Sequence, residues 1–261
     1  MAANFDVAER AATESSTETT EIIGAVGATD NRPTPVRLRK LAWWLVGVSV
    51  AINVLSMAIP ALIDHPLTTE RGEIRVYFDV FSEGNLPTWW SVGLLVLTAV
   101  AHAFVGALAV AHRVRGGWAW FVSAAMLGAL SLDDHTSLHE RLERIGQDWV
   151  TFERFPGYWL VPGLIAGALV AGALIMLAVR LTGVTRWLMI GGVGLLLGSA
   201  MGMELVQGLL VAAGESGPIY VIVLHLEELG ENLGVLLMLA AAARSVLISR
   251  EADTFSLRYQ R

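Results

Sequence analysis

The chain reads as an all-α, polytopic membrane helical bundle with about six transmembrane helices, and three observations predict it. Of its 261 residues 54% are hydrophobic and only 16% charged, a balance outside that of ordinary soluble chains. The apolar residues fall into six runs, most of them of roughly 20 residues or more, the length a helix rising 1.5 Å per residue needs to cross about 30 Å of hydrocarbon. Arginine recurs at alternate run ends, as the positive-inside rule requires of a chain with both termini cytoplasmic. The absence of cysteine excludes disulfides, thiolate metal sites and cysteine nucleophiles. A net charge of −6 leaves no electrostatic footprint for nucleic acid.

Each element follows from local composition. Residues 1–35 are polar, acidic and rich in Ser, Thr and Ala, so a disordered cytoplasmic tail is expected and not a signal peptide. The membrane domain is expected over 36–250 and a cytoplasmic C-terminal tail over 251–261. Arg37, Arg39 and Lys40 hold the start of the first span, about 41–63, on the inner side, with Trp43 and Trp44 at the interface. An outer loop to about 87 contains the amphipathic stretch Ile74 to Phe81, and the second span, about 88–111, returns to the basic Arg113 and Arg115. The third begins at Trp118 and is expected to run as one helix to Gly146, where glycine can end it. Spans four to six are expected at about 158–179, 187–213 and 218–242, with Arg180, Arg186 and Arg244 on the inner side.

Charge inside these spans is the functional signal, because ionisable groups in hydrocarbon are expensive. The third run continues into Asp133, Asp134, His135, His139 and Glu140, the fifth contains Glu204, and the sixth contains His225, Glu227, Glu228 and Glu231. Counted from the outer helix ends, Glu204, His225, Glu228, His135 and His139 lie about seven to eleven residues deep, a single layer roughly 10 to 17 Å down. On the sixth helix His225, Glu228, Glu231 and Asn232 share an arc of about 120°, with Glu227 outside it.

No Lys or Arg lies inside a span to balance these acids, so they must carry protons or hold cations. Asp, Glu and His without sulfur suit a divalent metal, zinc, iron or manganese, and inward-facing carboxylates and histidines are how di-metal bundles are built. The expected ligands are therefore Asp134, His135, His139, Glu204, His225, Glu228 and Glu231, with Glu140 or Glu227 as a non-ligand general base. His102, Asn53 and Gln207 are expected to be structural hydrogen-bonding groups, and the tryptophans near span ends to be interface anchors.

Two partial resemblances stand on these residues. Glu227-Glu228 followed by Asn232 resembles the Glu-Glu-x-x-x-Arg motif of the CAAX-type intramembrane proteases, with Asn in place of Arg. His135-x-x-x-His139 resembles the histidine pair of the ceramidase-like membrane hydrolases. Neither carries a catalytic assignment to this chain. The expectation is a multi-pass protein of a bacterial inner membrane, a metal-dependent enzyme acting on a lipid or another apolar substrate. The alternatives are a cation- or proton-coupled transporter and a non-catalytic subunit whose polar cluster meets a partner helix or a second copy.

Overall fold

A computed structural model describes residues 34–35, 39–69, 71–152, 155–251 and 254–260. The expected N-terminal tail therefore lies almost wholly outside the described residues. The helices are α1 (Arg39–Leu62), α2 (Glu73–Phe78), α3 (Leu86–Ala111), α4 (Ala119–Thr136), α5 (Glu143–Trp149), α6 (Leu160–Ala178), α7 (Gly183–Leu197), α8 (Glu204–Ala212) and α9 (Pro218–Arg244). One π-helical turn, Gly198–Met203, joins α7 to α8.

Four helical stretches are long and apolar enough to cross a membrane: α1, α3, α6 and the continuous rod Gly183–Ala212. α4 and α9, of 18 and 27 residues, carry most of the acids of the expected polar layer. Large apolar side chains point outward along the four apolar stretches, as Val100 (61% exposed) and Leu169 (70%) do. Such a continuous apolar exterior is stable where the surrounding solvent is lipid.

α9 is the helix around which the others assemble, packing on α7, α3, the π turn and α1. Its approach to α7 is backbone to backbone. A Cβ on Gly192 would stand 2.7 Å from the Gly234 carbonyl oxygen, and one on Gly234 would stand 2.6 Å from the Leu196 nitrogen. Small residues permit this closeness, and the gain is van der Waals contact between helices. Beneath it the core is dense: Trp120, Leu127, Leu174, Leu177, Met189 and Met238 are all fully buried.

His102 bridges three helices, with Nδ1 2.8 Å from Ser123 Oγ on α4 and Nε2 3.2 Å from the Met238 carbonyl oxygen on α9. Trp120, read from its position as an interface anchor, is instead a core residue, its ring edge-on to His102 at 5.0 Å. At the opposite end, the loop before α3 is organised by Asn85. Its Oδ1 accepts from the Thr88 backbone N–H at 3.3 Å, and its Nδ2 donates to the carbonyl oxygens of Asp79 (2.6 Å) and Val76 (3.0 Å). Asn85→Ala should therefore lower thermal stability by about 1 to 2 kcal/mol, measured by unfolding in detergent beside an Asn85→Asp variant that keeps only the cap.

The third helix does not reach Gly146. It ends at Thr136, and Ser137 takes the left-handed conformation (φ 47°) that closes many helices. The Asp133 carboxylate holds the reversal, with Oδ1 accepting from the His139 backbone N–H at 2.8 Å and Oδ2 lying 3.1 Å from His139 Nδ1. The Ser137 hydroxyl donates to the Glu83 carboxylate. A 3₁₀ turn, Glu140–Leu142, then leads into the short α5.

Two compact units are distinguished, Pro35–Leu247 with Leu257–Arg261, and Met1–Thr34 with Ile248–Ser256. Every helix among the described residues belongs to the first. In that unit Tyr259 returns to the bundle, where its hydroxyl accepts from Trp120 Nε1 at 3.3 Å. In the second unit Ser249 and Ser256 lie on adjacent strand segments with their hydroxyl oxygens 2.5 Å apart. The segment 251–261, read from the sequence as a tail, thus contains the strand Thr254–Tyr259, and the strand Val246–Glu251 precedes it, almost wholly within the range read as the membrane domain.

Candidate functional site: an acid-lined cavity within the helix bundle

A cavity of about 370 Å³ opens among α3, α4, α6, the α7–α8 rod and α9. Five carboxyls line it: Asp133 and Asp134 from the end of α4, Glu204 from the start of α8, and Glu227 and Glu231 from α9. His139 and Asn232 complete the polar wall, and among the described residues no Lys or Arg contributes to it. The remaining wall is apolar or built of small residues, including Leu95, Met126, Leu130, Val170 and Val235.

Local structure explains how each group arrives. Asp134 is set on the α3-facing side of α4, where its Oδ2 accepts from Ser91 Oγ at 2.5 Å. His139 comes in because the chain reverses at Ser137, and its ring lies 5.0 Å from that of Trp159. Glu204 follows the π turn. An extra residue in a helical turn re-phases everything after it by about 100°, and Glu204 Oε1 meets the Trp159 indole N–H at 3.1 Å. Glu227 accepts from Gln207 Nε2. Glu231 and Asn232 have no hydrogen-bond partner for their side chains among the described residues, although Asn232 is only 5% exposed.

The nine sequence-derived site residues separate accordingly. Asp134, His139, Glu204, Glu231 and Glu227 share the cavity. His135 is exposed at the end of α4 and does not share a helix with His139. His225 is buried but turned away, with Nε2 3.1 Å from Ser56 Oγ on α1 and Nδ1 2.7 Å from the Val221 carbonyl oxygen. Glu228 is half-buried and lies outside the cavity lining. The side chain of Glu140 lies outside the described residues. Among the described residues no three His, Asp or Glu side chains converge closely enough to hold a metal ion.

Three residues of the site, Asp133, Trp159 and Ser91, escaped the sequence reading, whereas Gln207 is the hydrogen-bonding group expected of it. Asp133 entered it only as a charge, and its role as clamp of the chain reversal requires a helix end that no Gly or Pro marks. Trp159 looks like any interfacial tryptophan. Ser91 carries no signal until it is seen against Asp134. Had α4 been broken at Thr136-Ser137, two residues of low helix propensity, His139 would have been separable from His135.

Residues 41–246 match the family described as Domain of unknown function (DUF8692). The chain belongs to this family. The match runs from the first turn of α1 to two residues past the end of α9, so the DUF8692 domain is the bundle itself, cavity included. No curated protein and no solved structure matches the chain.

Proposed function

We propose that the protein is a multi-pass protein of the cell membrane that binds a cation in the acid-lined cavity and moves it, or a proton exchanged for it, across the bilayer. The observation that carries this reading is the gathering of five carboxyls around one cavity with no Lys or Arg in its wall. Carboxyls held in a membrane interior mark ion or proton pathways, and uncompensated anions there demand a counter-charge. α4 and α9 complete a bundle of six crossings, with the acids facing inward and the apolar exterior facing lipid. The orientation is supported by Arg113, Arg115, Arg180 and Arg186, which lie in or beside the two short loops at one end of the helices, while Arg71, Arg75, Arg141 and Arg144 lie at the other. Arg180 after α6 stacks over Trp118 before α4, 5.1 Å from its ring centre, and positive charge of this kind favours the cytoplasmic side.

A second reading, a zinc, iron or manganese enzyme, is favoured by one feature. The Asp133–His139 pair, Oδ2 to Nδ1 3.1 Å, has the form of the carboxylate–imidazole pairs that orient metal-bound histidines. It asks for convergence of further ligands such as Glu204.

One comparison separates the two. Full-length protein reconstituted in liposomes should show cation-dependent proton flux, and Glu231→Gln should lower that flux at least tenfold. Purified wild-type protein should contain no stoichiometric transition metal. One or two equivalents of metal, lost in an Asp134→Asn/His139→Ala variant and accompanied by no flux, would overturn transport in favour of the enzyme.

A further inference from the structure

We propose that the occupant of the cavity is an organic cation, an amine with an apolar body, rather than an inorganic ion. The inference rests on the cation-binding reading above and goes beyond it in naming the ligand class. Three features of the cavity carry it.

The acids are dispersed. Asp133 and Asp134 stand on α4, Glu204 on α8, Glu227 and Glu231 on α9, and no three metal-binding side chains converge among the described residues. A divalent ion needs its oxygens within about 2.0 to 2.6 Å of one point. An ammonium carries three N–H donors on a charge that can face acceptors on separate walls. Spread carboxyls therefore suit the ammonium better than the bare ion.

Space and wall chemistry agree. A cavity of about 370 Å³ falls within the size range of small-molecule sites, roughly 300 to 1,000 Å³, and such sites are mainly apolar with a few placed polar groups. Leu95, Met126, Leu130, Val170, Leu196 and Val235 supply that apolar surface. A hydrated inorganic cation would gain nothing from them. The Trp159 ring adds an aromatic wall beside Glu204, a pairing that attracts desolvated ammonium groups.

The third feature is a polar group presented to the cavity. Asn232 is 5% exposed and lines the cavity, with no side-chain hydrogen bond to another described residue. Its carboxamide is not sealed off, since Asn53 Oδ1 is the one buried side-chain polar atom without a partner among the described residues, so it stays available to a ligand. One turn of α9 separates Glu227 from Glu231, and Asn232 follows at the next position. An amine bound between them would donate to a carboxylate and to the Asn232 carbonyl oxygen together.

The test uses full-length protein in lipid nanodiscs with phenethylammonium as probe, its neutral counterpart 2-phenylethanol, and manganese and sodium chlorides, read by calorimetry and by the melting temperature. Phenethylammonium should bind saturably and raise the melting temperature, with 2-phenylethanol at least tenfold weaker. Glu231→Gln, which removes the charge and keeps the shape of the side chain, should weaken the amine at least tenfold, and Glu227→Gln, an isosteric second variant, should weaken it likewise. Retention of the wild-type circular dichroism spectrum shows that each variant is folded. Binding of manganese or sodium that is lost in Glu231→Gln, without binding of the amine, would overturn the organic-cation inference and leave the cation reading standing. Equal binding of amine and alcohol, or binding of none of the four, would overturn both.

Discussion

Gly234→Leu should leave little folded protein, because the side chain has nowhere to go. A Cβ at this position meets the Leu196 nitrogen at 2.6 Å, the Gly192 carbonyl oxygen at 2.8 Å and the Leu196 Cα at 2.9 Å. These are backbone atoms of α7, so relief requires the helices to separate, and α7 is a principal neighbour of α9. Overpacking of a dense interior costs about 1 to 3 kcal/mol where side chains can shift, and more where they cannot. A loss of 3 kcal/mol or more is expected here. Gly194→Leu is the matched control, since a Cβ there has no neighbour within 4 Å. The two variants should differ in yield of monodisperse protein and in melting temperature, and equal behaviour would show that the α7–α9 contact does not hold the bundle together.

Trp120→Ala should destabilise the protein by about 3 to 5 kcal/mol, the usual cost of emptying a buried aromatic site. Trp120 is 1% exposed, lies edge-on to His102, and donates from Nε1 to the Tyr259 hydroxyl. Its loss removes packing from the one histidine that ties α3 to both α4 and α9. Trp118→Ala, two residues earlier and 49% exposed, should cost far less. Denaturant unfolding of the two variants in one detergent decides the point, and equal losses would mean that Trp120 is the interfacial anchor its position suggests.

The comparison between these tryptophans shows what sequence can and cannot see. Both stand at the start of the third apolar run, and an interfacial role fits either. Only the packing of α4 against α3 turns Trp120 inward and leaves Trp118 outside. The same holds for α9. Its acids are evident in the sequence, but the expected arc had His225 inside and Glu227 outside. The cavity instead takes Glu227, Glu231 and Asn232, while His225 turns to Ser56. A rotation of well under one turn decides between the two, and a helix carrying polar groups on several sides does not reveal it.

Helix ends divide in the same way. The long apolar helices appear within a few residues of their expected bounds, because length and apolarity are local sums that burial in lipid demands. The end of α4 does not, because Asp133 closing on His139 is a contact between side chain and a later backbone amide. Sequence alone determined the all-α class, the places of the apolar helices and the presence of unbalanced acids within them. Tertiary structure decided which of those acids share one space, through the reversal at Ser137, the π turn before Glu204 and the close approach of Gly192 to Gly234. Each of these depends on helix rotation and on contacts distant in sequence, and composition along a single segment does not encode them.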